Sequence, residues 1–245
     1  MATLAETSPT RGAAVPRTLY PHAQYYFFAA MVVTWIGFAR SYFLRLGEVT
    51  VFHHIHGAIA GLWIASLIAQ PILYQRNQMR LHRLVGKMAA FVLAPLMVVL
   101  VAIMMHLMFS GVTGTPPMVR YLLGYLDLWA LVQFPLFVYL GVRYRRNTAL
   151  HARWLAGTVL ILLPPALVRA LLLVPFLHPF PVKLLTGFAI VDVILVLLLL
   201  DDRKYGRIRA PYPAMLTMFL VMEATMLLAP DWSWWRALAD LWGRV

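Results

Sequence analysis

Cysteine is absent from this chain. Its absence excludes disulfides, thiolate-held metals, iron–sulfur clusters and covalently attached c-type haem. Any metal or haem must therefore be held by histidine, methionine, carboxylate or backbone oxygen. Charge is the second shortage. Only 12% of the 245 residues are charged, against about 25% in an ordinary soluble domain. Acidic residues are the scarcest of these: nine Asp and Glu stand against 21 Lys and Arg, for a net charge of +12. Long polar linkers, low-complexity runs and clear internal repeats are also missing.

What fills the chain instead is apolar. Hydrophobic residues make up 62% of it and the mean hydropathy is +0.76. That composition belongs to the membrane class. Seven apolar runs can be marked, at about 25–44, 50–74, 84–109, 119–142, 152–176, 182–200 and 212–229, each near the ~20 residues that a helix needs to cross hydrocarbon. Residues 1–22 are polar and do not have the form of a cleaved signal peptide. They read as a short cytoplasmic tail, and 231–245 as a Trp-rich, amphipathic segment lying along the interface. The expected fold is therefore all-α: a polytopic membrane protein built as a seven-transmembrane-helix bundle over 23–230, with short loops and antiparallel neighbours. Pro95 is expected to bend the third helix, and Pro164-Pro165 to kink or break the fifth.

The basic residues orient this bundle. Arg11 and Arg17 precede the first run. Arg76, Arg80, Arg83 and Lys87 follow the second. Arg143, Arg145, Arg146 and Arg153 follow the fourth, and Arg203, Lys204, Arg207 and Arg209 follow the sixth. Those are 14 of the 21. Arg40, Arg45, Arg120, Lys183, Arg236 and Arg244 fall on the other side, and Arg169 lies within the fifth run. The bias places the N-terminus in the cytoplasm and the C-terminus outside. The net positive charge thus needs no nucleic-acid partner.

Ionisable residues inside apolar runs are costly and point to function. At about 1.5 Å of rise per residue they fall into two layers. In the outer half, His53, His54 and His56 begin the second run, His106 ends the third, and Asp127, Arg169, Asp192 and Glu223 lie within the next four. At the cytoplasmic surface, His82 and His151 each begin a helix beside an arginine, in the strings LHRLVG and HARWLAG. Each has a plainer reading. His82 and His151 can be solvated boundary histidines. Arg169 can form a structural ion pair with Asp127, Asp192 or Glu223. The neighbouring methionines can be packing.

The combination of His56 with Gly61, Gln70-Pro71, LHRLVG at 81–86, HARW at 151–154 and Arg169 resembles a family of bacterial multi-span membrane proteins with no assigned activity, over about residues 50–175. That resemblance implies a multi-pass protein of the bacterial inner membrane. A more distant likeness is to transmembrane di-haem b-type cytochromes, in which four helix-borne histidines hold two haems. It implies His56 with His106, and His82 with His151, as ligand pairs, with Arg169 facing a propionate. One departure matters. His82 and His106 are separated by about 36 Å along one helix, more than the ~30 Å of hydrocarbon, so one haem is easier to accommodate than two.

Three functions follow as expectations. The favoured one is a b-type haem redox protein with ligands His56 and His106 in the outer layer and a membrane quinone or redox protein as partner. The second is a metal-dependent membrane enzyme. It would use His53, His54, His56, His106 and Asp127 to hold Zn, Fe or Cu, with Asp127 or Glu223 as the catalytic acid or base. The third is an accessory subunit of a larger membrane complex whose polar layers bind lipid headgroups or small anions.

Overall fold

Backbone groups surrounded by hydrocarbon must pair within their own segment, so each apolar run is driven into a helix. The computed structural model describes residues 20–174, 179–204, 206 and 208–244, and is helical throughout, with no strand among them. Eight helices follow one another: α1 Ala23–Phe38, α2 Val51–Gln75, α3 Met79–Phe109, α4 Pro117–Arg143, α5 Thr148–Leu171, α6 Phe180–Lys204, α7 Pro211–Met226 and α8 Ser233–Arg244. Five of them, α2 to α6, are long and apolar enough to cross a membrane. The chain is a helical membrane protein. The 16-residue helices α1 and α7 overlap the first and last expected runs, although α1 stops at Phe38 and a short 3-10 turn over Phe43–Glu48 follows; each of the two helices is only about 24 Å long. Arg11, Arg17 and Arg207, and the end of the fifth expected run at 175–176, lie outside the described residues.

Helix α5 is the hub. It packs against α1, α4, α6 and α7. Half of its most apolar stretch is buried, against a third or less in the other four long helices. The contact with α1 is made backbone to backbone at Gly37, where a Cβ would stand 2.2 Å from the carbonyl oxygen of Ala166. Small residues let helices approach this closely where dispersion, not the hydrophobic effect, drives association.

The prolines disturb their helices without ending them. Helix α5 runs unbroken through Pro164-Pro165. The carbonyls of Leu160 and Ile161 lose their i+4 donors there. The helix holds because Leu160, Leu163, Pro164 and Ala166 are all buried against neighbours. In α3 the response to Pro95 is a π-turn over Ala89–Leu93, immediately before the proline. The wider turn removes the clash between the ring and the preceding turn without ending the helix.

Helix α8 docks rather than standing apart. Trp235 and Ala239 are fully buried against α3 and α4. The Trp235 indole donates to the Tyr121 carbonyl at 2.9 Å, and the Tyr121 hydroxyl donates to Asp240 at 2.7 Å. Trp234, Leu238 and Leu241 stay exposed on its other side.

At the end of the bundle where α3 and α5 begin, one buried ion pair ties four segments together. Arg153 of α5 and Asp202 of α6 are 1% and 0% exposed. The Arg153 Nε donates to both Asp202 oxygens at 3.0 Å, Nη2 donates to Oδ1 as well, and Nη1 donates to the Ala149 carbonyl at 2.8 Å. Asp202 also accepts from the Tyr20 hydroxyl and the Arg209 backbone N–H, each at 3.3 Å. The Tyr212 hydroxyl of α7 donates to Tyr20 at 3.2 Å. Arg153, read from the sequence as a loop charge, is thus an interior residue.

This burial also acts on Tyr20, just before α1. It pushes the phenol up to about 12, against the opposing pull of the Tyr212 hydrogen bond and the Arg153 charge. A raised pKa means that the folded state keeps the proton that the unfolded chain loses near pH 10. The corresponding stability is complete below pH 10 and is lost as pH rises toward 12. A series of melting temperatures from pH 9 to 12 should therefore fall more steeply in the wild type than in Tyr20→Phe. Parallel curves would show that Tyr20 does not titrate in this way.

Candidate functional site

Helix α2 ends and α3 begins within a few residues, and so do α4 and α5. Each turn therefore sets a helix N-terminus against the C-terminal turn of its predecessor. His82 sits in the first turn of α3 and His151 in the first turn of α5. Their rings lie 6.5 Å apart between centroids, with planes inclined at 67°.

Each ring is held by the helix before it. His151 Nδ1 is 2.7 Å from the carbonyl oxygen of Gly141, and His82 Nδ1 is 3.4 Å from that of Gln70. A carbonyl can only accept, so both Nδ1 atoms carry the proton, and in the neutral ring Nε2 keeps its lone pair. The Gln70 side chain secures the same turn, donating to the His82 carbonyl at 3.1 Å. Gly86 leaves room for it, since a Cβ there would stand 3.3 Å from the Gln70 Nε2. The Tyr74 ring is 6.0 Å from His82. Both histidines are half-buried.

His82 and His151 are the residues here that could together hold a metal or haem. A ligating histidine usually donates its other N–H to a carbonyl or carboxylate, which fixes tautomer and orientation. Two imidazoles bound on opposite sides of one metal ion, at about 2 Å per bond, hold their ring centres roughly 6 Å apart. The observed centroid spacing is of that size. The plainer role of His151 is to satisfy a carbonyl that the end of α4 leaves without a helical partner.

The opposite end holds His53, His54, His56 and His106, and they are dispersed. His53 Nδ1 is 2.8 Å from the Thr50 hydroxyl at the start of α2. His54 Nδ1 is 2.9 Å from the Tyr42 hydroxyl. His56 points a buried Nδ1 that has no protein partner among the described residues. His106 Nδ1 is 2.9 Å from the Trp242 carbonyl of α8. No hydrogen bond or ring contact joins His56 to His106 among the described residues. Nor do any three His, Asp or Glu side chains come close enough there to hold a metal ion. The set His53, His54, His56, His106 and Asp127 is therefore not assembled as a multidentate metal site. Depth alone had grouped these residues, whereas their helices present them to different neighbours.

Arg169 forms no ion pair with Asp127, Asp192 or Glu223 among the described residues. Its guanidinium lies 4.6 Å above the Phe38 ring, and Nη1 donates to the Pro165 carbonyl at 2.9 Å. Asp127 and His53 are within its electrostatic reach. Asp192 on α6 and Glu223 on α7 are neighbours of each other rather than of Arg169.

Sequence reasoning missed the Arg153–Asp202 pair beside the histidines. The available signal was an acidic residue at the end of an apolar run, opposite an arginine two residues beyond a helix-initiating histidine. The role of Gln70 was visible only as a motif position. No family model, curated protein or solved structure matches the chain.

Proposed function

We propose that this chain is a b-type haem protein of a bacterial cytoplasmic membrane, that His82 and His151 would hold the haem, and that it passes single electrons to or from a membrane quinone or a redox subunit. One observation carries the reading: two imidazoles 6.5 Å apart between ring centroids, each with Nδ1 facing a backbone carbonyl. The donor set supports haem over a bare ion. Structural and catalytic zinc sites need three or four protein ligands, whereas an iron porphyrin needs only the two axial positions filled. When bound, the haem supplies one-electron exchange. The protein's part is to fix the two rings and, through Gln70 and Gly141, to keep each in the tautomer that presents Nε2.

This reading moves the haem from the His56/His106 pair to the other end of the bundle. It also supports one haem rather than two. The excess of Lys and Arg at the loops joining α2 to α3, α4 to α5 and α6 to α7 supports a cytoplasmic position for the His82 end. The same bias, with α1 and α7 crossing as short members of the bundle, supports seven spans with the N-terminus inside. Local thinning of the bilayer accommodates helices of that length.

The test is the visible spectrum of detergent-purified protein, expressed with haem precursor, oxidised and then reduced with dithionite. A Soret band with sharp reduced α and β bands is expected, at one haem per chain. His82→Ala and His151→Ala should each lose most of it, while His56→Ala and His106→Ala keep it. A folded, haem-supplied preparation with no Soret band removes the proposal. Loss in the His56 and His106 variants alone would return the site to the opposite end.

A further inference from the structure

Helix α3 opens with a polar turn and only then becomes apolar. Arg80, Arg83 and Lys87 recur at intervals of three and four, so they share one helix face. Leu84, Met88 and Phe91 continue that face toward the apolar part of the helix, and are 58%, 52% and 68% exposed. Arg80, Arg83, Leu84 and Lys87 together line a shallow, open depression on this face. Three cations lie within two turns, yet none has a carboxylate within ion-pair distance among the described residues. The Arg83 Nε–H donates only to the Met79 carbonyl, at 3.1 Å. All three are exposed, and nine acidic residues in the whole chain leave few to pair with them.

We infer that this face of α3 binds one anionic phospholipid, its headgroup phosphate between Arg80, Arg83 and Lys87 and its acyl chains along Leu84, Met88 and Phe91. The sequence of chemistry along the face, cationic and then apolar, matches the order of chemistry along such a lipid. Basic clefts at the cytoplasmic ends of membrane helices recognise anionic headgroups in this way. The exposed apolar row that continues the cationic face matches an amphipathic occupant better than a soluble anion. The inference is independent of haem and holds for the apoprotein.

The protein is purified after reconstitution with phosphatidylcholine alone or with a 3:1 mixture of phosphatidylcholine and phosphatidylglycerol, and the lipid retained through extensive detergent washing is extracted and quantified per chain. About one retained phosphatidylglycerol is expected for the wild type, and none for Arg80→Gln/Arg83→Gln/Lys87→Gln, whose affinity should fall on the order of a hundredfold. The control is Arg143→Gln/Arg145→Gln/Arg146→Gln, which removes three exposed cations of another loop and should retain lipid as the wild type does. Phosphatidylglycerol should raise the melting temperature of the wild type and control but not of the α3 variant. Millimolar inorganic phosphate should not displace the lipid. Equal retention by wild type and α3 variant, equal retention of phosphatidylcholine, equal loss in the control, or displacement by free phosphate would each overturn the inference.

Discussion

Replacing Asp202 with alanine is expected to cost about 3–5 kcal/mol of stability, the range measured when one member of a buried ion pair is removed. The reason lies in what remains. Arg153 is 1% exposed, so its guanidinium cannot turn to water when its partner is lost. Three of its donor contacts to Asp202 disappear together, and only the Ala149 carbonyl is left to receive one N–H. The Tyr20 hydroxyl and the Arg209 backbone N–H lose their acceptor as well. The damage should extend beyond α5 and α6, because Tyr20 leads into α1 and is bonded to Tyr212 of α7. Replacing both partners, as Arg153→Met/Asp202→Leu, should recover a large part of the loss, since two apolar side chains leave no buried charge unpaired. Thermal unfolding in detergent, followed by far-UV circular dichroism, checks both variants. A single substitution that costs less than about 0.5 kcal/mol, the usual scale of a surface change, would show that the pair is solvated and not interior.

The second large effect is expected at Gly37, from the addition of a single methyl group. A Cβ at this position stands 2.2 Å from the Ala166 carbonyl oxygen and 2.8 Å from its carbon. The obstacle is backbone, so no rotamer relieves it, and α1 must move away from α5. Gly37→Ala should therefore cost about 3 kcal/mol, the upper part of the range for overpacking a well-filled contact. Gly61→Ala provides the opposite sign. It also lies within a helix, yet nothing stands within 4 Å of its Cβ position. There the substitution only reduces backbone freedom in the unfolded chain and should stabilise by about 0.5–1 kcal/mol. The two variants, measured together, separate close packing from helix propensity. If Gly37→Ala were stabilising too, the close approach of α1 to α5 would be refuted.

Much of the fold was legible along the chain. Each apolar run became a helix, and the five longest need no tertiary information to be recognised. The docked helix α8 was visible as an amphipathic Trp-rich segment, although its seat on α3 and α4 was not. Pro95 announced a disturbance, and the π-turn before it is the local answer. Pro164-Pro165 did not break the helix, because burial on the faces of α5 holds it through the lost hydrogen bonds.

The site was legible in its residues and not in its pairing. His82 and His151 stood out as two similar strings at two helix starts, but deeper histidines carried more weight, because a histidine far from water demands a reason. His106 found that reason in the Trp242 carbonyl of α8, 136 residues further along the chain.

The sequence by itself determined the class of protein, the positions of the five long apolar helices, the exclusion of thiolate chemistry and the height of each polar residue along its own helix. These are local quantities, set by run length, composition and a fixed rise of about 1.5 Å per residue. The tertiary structure alone decided which polar residues meet. Rise gives height along a helix, but the direction in which a side chain points, and the neighbour it faces, depend on how helices rotate and pack against one another. That packing set His82 beside His151, dispersed the deeper histidines, and buried Arg153 against Asp202.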